Sequence, residues 1–138
     1  MKLYFYKGVF NLIKGIGVDI VEINRIKQAI NKHQRFKKRF FTAAENEYCE
    51  SKADSMQHYA GRFAAKEAVV KALGTGFKGF KWQSIEVINI ASGKPVVKLN
   101  DKASLIADEL EIKEIMISIS HSENYAIAQA VAIGGGSN

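Results

Sequence analysis

The sequence predicts an α+β fold, a single domain in which a largely antiparallel sheet packs against helices. Three observations carry that reading. Apolar residues alternate with period two over residues 14–20, helical spacing dominates the middle of the chain, and two pairs of alternating segments, each split by a short polar turn, close it. The chain has 138 residues, 47% of them hydrophobic and 25% charged. A domain of about this size buries roughly 70% of its unfolded surface, so it holds a core without staples.

Each element follows from local pattern. Ile16, Val18 and Ile20 alternate with Gly15, Gly17 and Asp19. They predict a half-buried strand over 14–20, with one apolar face and one face bare except for a carboxylate. Ile23, Ile26 and Ile30 then recur at helical spacing and predict a helix over 21–31. Thr42 and Glu45 have capping-box spacing and start a short helix carrying Tyr48 and Cys49. A longer helix is expected over 56–73, ended by Gly74 in the left-handed conformation. Strands over 82–90 and 95–99 flank the turn 91–94, and Pro95 is tolerable at a strand start. Asn100 is placed to cap a helix holding Leu105, Ile106 and Leu110, after which 115–120 and 125–133 form a second antiparallel pair. The Gly-rich residues 134–138 read as a flexible tail.

Twenty Lys and Arg against fourteen Asp and Glu give a formal charge of +6, which suits an anionic partner: nucleic acid, a nucleotide cofactor or an acidic protein. The single cysteine, Cys49, forms no internal disulfide and reads as a buried thiol in a reducing compartment. No apolar stretch approaches a membrane span; a soluble, cytoplasmic protein is expected. Gly74 and Gly76 lack the lysine–serine/threonine ending of a phosphate loop, and Gly15 and Gly17 lack the third glycine of a dinucleotide fingerprint. No recognised RNA-binding module is present either.

Several side chains have two readings. The helix over 59–73 is rich in alanine yet carries Arg62, Lys66, Glu67 and Lys71. Arg62 and Lys66 are four apart, where like charges repel unless an anion lies beside them, and Glu67 and Lys71 have favourable ion-pair order. The alternative is a solvated charged stripe. Asp19 either caps the next helix, with Glu22 three residues on, or joins Glu67 around Mg²⁺, which takes one or two protein carboxylates plus phosphates and water. In the second reading Gly15 and Gly17 clear room for a bulky ligand. His121, at a predicted strand end, is either merely exposed or donates to a phosphate or moves a proton. His33 and His58 lack metal-binding spacing with it. The basic run over 32–39, which includes Arg35 and Arg39 beside Phe36 and Phe40, is a solvated helix face with aromatic anchors beneath or a docking surface for an acidic partner.

Four motifs stand in order: GIGVDIVEINRI at 15–26, RFFT at 39–42 with Glu45, RFAAKEAVVK at 62–71 and ISISH at 117–121. Together they closely resemble the bacterial holo-acyl-carrier-protein synthases, the short class of phosphopantetheinyl transferases, from about residue 14 to 133. The resemblance implies a 4'-phosphopantetheinyl-transferase-like domain over 14–133, with 1–13 as an N-terminal extension. It implies transfer of 4'-phosphopantetheine from coenzyme A to a serine of an apo-acyl carrier protein. Asp19 and Glu67 are then the Mg²⁺ ligands, and Glu67, Lys71 and His121 the catalytic set. Lys66, Lys71 and His121 lie near the coenzyme A phosphates, with Gly74, Gly76, Gly93, Lys94 and Pro95 around the nucleotide. Arg25, Arg35 and Arg39 face the acidic carrier protein. A homotrimer with sites between subunits is implied too. Two other classes compete: a non-catalytic module binding coenzyme A or an acidic protein, and a small nucleic-acid-binding protein. The paired acids argue against the first.

Overall fold

The computed structural model describes residues 12–76 and 79–135. Its elements are β1 (Ile13–Glu22), α1 (Ile23–Lys32), α2 (Phe36–Phe40), α3 (Ala43–Glu50), α4 (Ser55–Leu73), a 3₁₀ turn at Trp82–Ser84, β2 (Ile85–Asn89), β3 (Pro95–Leu99), α5 (Asp101–Glu109), β4 (Ile112–His121) and β5 (Tyr125–Gly134). Strands β1, β5 and β4 form one antiparallel sheet in that order, and β2 and β3 form a separate hairpin. This is the predicted α+β class. Most of the N-terminal extension lies outside the described residues, as do residues 136–138 of the expected tail; β5 runs one residue into that tail, where the Gly134 amide donates to the Leu12 carbonyl.

Helix α4 lies across the three-stranded sheet because both surfaces are built from small residues. Ala126, Ala128, Ala130 and Ala132 of β5 are fully buried, and so are Ala64, Ala65, Ala68 and Val69 of α4. Alternate positions on a strand share a face, so β5 offers an alanine ladder on which the helix rests. The approach is closest at β1. A Cβ built on Gly15 would stand 2.0 Å from the Ala72 carbonyl oxygen, and one on Gly17 1.9 Å from that of Ala68. Helix backbone therefore fills the space expected for a ligand. A second core joins Ile26, Phe41, Cys49, Tyr59 and Ala60, tying α1–α3 to the first half of α4.

The apolar face of β1 points the other way. Ile16, Val18 and Ile20 are 67%, 59% and 57% exposed, while Gly17 is buried. Register aligns Ile16 with Val131 and Met116, and Ile20 with Ile127, so the outer sheet face carries contiguous apolar rows.

The caps follow sequence. Thr42 completes both halves of its box, its hydroxyl accepting from the Glu45 amide at 3.2 Å and its amide donating to Glu45 Oε1 at 2.9 Å. Gly74 ends α4 at φ 75°, its amide donating to the Val70 carbonyl. Asp19 is not a helix cap: α1 begins at Ile23 after Glu22, and Asp19 stands inside β1. Burial holds the Cys49 thiol up at about 12, an inert structural group.

Candidate active site

The paired acids converge on one side of α4. Asp19 shares the inward face of β1 with Gly15 and Gly17, so the contact that seats Ala68 and Ala72 on the glycines also brings the next residue of that face to the neighbouring helix turn. Lys71 pairs with the first of them, its ammonium donating to Asp19 Oδ1 at 3.2 Å and to the Val18 carbonyl at 2.9 Å. The expected ion pair of Lys71 with Glu67 is thus made with Asp19 instead. Burial, reinforced by the Asp19 charge, pushes the Glu67 carboxyl above its ordinary range, with Lys71 opposing. Among the described residues no three His, Cys, Asp or Glu side chains cluster as a complete metal cage. Two carboxylates that repel each other still fit Mg²⁺, which relieves the repulsion and keeps most of its shell for phosphate and water.

A second centre lies nearer the start of α4. A cleft of about 170 Å³ is lined by Tyr48, His58, Arg62, Gly93, Pro95 and His121, among others. Arg62 is only 4% exposed, donates to Asn89 Oδ1, and lies 4.0 Å from the Tyr48 ring centre. Its Nε has no hydrogen-bond partner among the described residues. Asn89 in turn donates to the Gly93 carbonyl at 2.9 Å, coupling the guanidinium to the β2–β3 turn. The cleft offers clustered positive charge and unused donors to an anion.

The predicted nucleotide residues divide. His121, Gly93 and Pro95 meet in this cleft; Gly74, Gly76 and Lys94 do not line it. Lys66 corrects the sequence reading. Its side chain is fully buried and pairs with Glu45 at 2.7 Å, and its other donors go to the carbonyls of Trp82 and Ile85. All three ammonium protons have acceptors inside the protein, so none points to a phosphate. Burial lowers the Lys66 pKa while the Glu45 charge opposes the shift. Arg62 and Lys66 share a helical spacing that suits an anion, but packing gives the cleft to Arg62 and buries Lys66. Asn89, Tyr48 and His58 join the site through contacts between elements that sequence spacing does not show.

Arg25, Arg35 and Arg39 are all exposed on α1 and around α2, with the Arg39 guanidinium 5.4 Å from the Phe40 ring centre. Helix α2 is the helix expected in the basic run, with three of its five residues basic. No helix among the described residues is long and apolar enough to cross a membrane.

The model of the 4'-phosphopantetheinyl transferase superfamily matches residues 15–130, which span both centres. The chain belongs to that superfamily. Among curated relatives, the holo-[acyl-carrier-protein] synthase of Alkaliphilus oremlandii is 51% identical over 122 residues, covering 88% of this chain and 100% of the relative. The synthase of Alkaliphilus metalliredigens is 54% identical over 121 residues, 88% of this chain and 99% of the relative. This transferase also shares its fold with solved structures. The holo-ACP-synthase of Plasmodium yoelii superposes with a TM-score of 0.79 at 35% identity, over 89% of this chain and 96% of that one. The Bacillus anthracis synthase, solved in complex with CoA (3',5'-ADP), gives 0.74 at 36% identity, over 89% and 98%.

Proposed function

We propose that this transferase moves 4'-phosphopantetheine from coenzyme A to a serine of an apo-acyl carrier protein. The observation that carries the reading is the pairing of Asp19 and Glu67 across β1 and α4 within a chain of this family. The carrier serine hydroxyl attacks the β-phosphorus of coenzyme A. The bond from that phosphorus to the bridging oxygen breaks, and adenosine 3',5'-bisphosphate leaves. Asp19 and Glu67 would hold Mg²⁺, which would supply charge neutralisation to the phosphates. Lys71, half exposed beside Asp19, offsets charge on the transferring phosphate, and Glu67 takes the serine proton. His121 and Arg62 orient a phosphate in the cleft, between the loop carrying Gly93, Lys94 and Pro95 and the end of β4. Gly74 and Gly76 stand past the far end of α4 and outside this cleft, and they are assigned to the nucleotide on the family resemblance alone.

Arg25, Arg35 and Arg39 form the docking face for the acidic carrier, where positive charge speeds encounter and fixes register. Incubation with coenzyme A, Mg²⁺ and apo-carrier protein should add one phosphopantetheine mass to a single serine; no mass gain would overturn the activity. In the same assay Arg25→Glu should raise the KM for carrier about tenfold with kcat held. An unchanged KM removes Arg25 from the docking face.

The protein works as a homotrimer, a reading supported by the apolar rows on the outer face of the β1–β5–β4 sheet. Ile127, 42% exposed at the middle strand, is the position to test. Ile127→Arg should convert trimers to monomers in sedimentation velocity, and assembly that survives the added charge counts against this face as the interface.

A further inference from the structure

We infer that His58 is a further ligand-binding residue of the phosphate cleft, completing with Arg62 and His121 a three-residue cradle that takes a phosphomonoester together with a proton. The inference rests on the proposed coenzyme A reading and names the part of the substrate that this cleft selects.

His58 and Arg62 stand four residues apart on α4 and so share a face, and both line the cleft with His121 of β4. Tyr48 of α3 fixes the pair from outside. Its ring meets the His58 ring edge-on at 5.7 Å and an 81° interplanar angle, and the Arg62 guanidinium at 4.0 Å. The imidazole is therefore seated by packing.

The charged groups around it set its protonation. Burial acts first, and Arg62 on its own helix, Lys52 in the preceding turn and His121 on β4 all oppose a proton on His58, while Asp54 at the start of α4 favours one. Their balance lowers the His58 pKa below its ordinary value. An anion among these groups reverses the balance. Bound phosphate raises the His58 pKa above its free-state value, so binding takes up a proton in the window between the two and tightens as pH falls through it.

A phosphomonoester, whose second ionisation lies near pH 6, carries up to two charges on one phosphorus, whereas each phosphorus of a pyrophosphate diester carries one. The Arg62 guanidinium and two imidazoles around one small cleft, with a proton taken up on binding, match the former. Coenzyme A has one phosphomonoester, on its ribose 3' oxygen, and adenosine 3',5'-bisphosphate retains it.

The test is calorimetric binding of coenzyme A at about pH 6 and pH 8, in two buffers of different ionisation heat, with 3'-dephospho-coenzyme A, which has no phosphomonoester, as the ligand lacking the 3' phosphate. Wild-type protein should take up protons at the lower pH. His58→Phe, which keeps a ring against Tyr48, should lose most of that uptake and bind coenzyme A about tenfold more weakly at pH 6, with little change at pH 8 or for the dephospho ligand. His58→Gln should lose the uptake in the same way. Uptake unchanged in both variants assigns the proton elsewhere and overturns the role of His58, as does an equal loss for both ligands. Wild-type protein that transfers phosphopantetheine yet shows no dependence on the 3' phosphate overturns the cradle while leaving the activity intact; absence of transfer sinks the activity itself.

Discussion

Asp19→Asn and Glu67→Gln should each lower kcat/KM for carrier modification by about 10³-fold, the scale of losing several kcal/mol of charge stabilisation at a phosphoryl centre. Melting temperatures should stay near wild type. Asp19 contributes an ion pair to a Lys71 side chain that is 53% exposed, and such pairs add little to stability. For Glu67 the sign runs the same way. Folding raises its pKa, so its contribution to stability is full below the unfolded value and is lost as pH rises through the folded one. At neutral pH its charge opposes folding, and the amide removes that cost. Steady-state transfer assays beside thermal melts give the decisive pattern: activity lost, fold kept. Full activity in both variants would defeat the metal assignment, and loss that only tracks unfolding would reduce these acids to scaffolding.

Lys66→Met should produce the opposite pattern, unfolding first. The substitution leaves the Glu45 carboxylate at 1% residue exposure, still bonded to the amides of Thr42 and Val87 but without its counter-charge. It also strips a donor from the carbonyls of Trp82 and Ile85. Breaking one side of a buried pair costs about 3–5 kcal/mol, a fall in Tm of about 10 °C or more at this size. Glu45→Gln added to Lys66→Met should recover part of the loss, because a neutral amide is cheaper to bury than an unpaired carboxylate. Thermal melts of the four proteins in a double-mutant cycle measure this. A Lys66→Met protein that melts with wild type would show that the pair does not hold α3, α4 and β2 together.

Much of this architecture was legible because the signals were local. The Thr42–Glu45 capping box, the αL Gly74 and the two hairpins depend on residues a few positions apart. Alternation in β1 was equally plain, yet it names two faces without saying which is inside. The inside face is the one bearing Gly15 and Gly17, because α4 requires backbone contact there, and the isoleucines are left outward. Arg62 and Lys66 show a second limit. Equal charge and helical spacing could not separate a cleft guanidinium from an ammonium buried by Glu45, since the partner that decides it lies on another element. His58 was passed over for the same reason, its neighbours Tyr48 and His121 being distant in sequence.

The seat at Gly17 acts as a ruler for the reaction. With less than 2 Å between a would-be methyl and the Ala68 oxygen, even alanine acts as a shim that lifts the long helix off the edge strand. The acid borne by each would then drift apart, and a cation reaching for both would lose one. A hydrogen atom in place of a side chain, two residues before Asp19, thus sets the gauge of the proposed metal-holding pair.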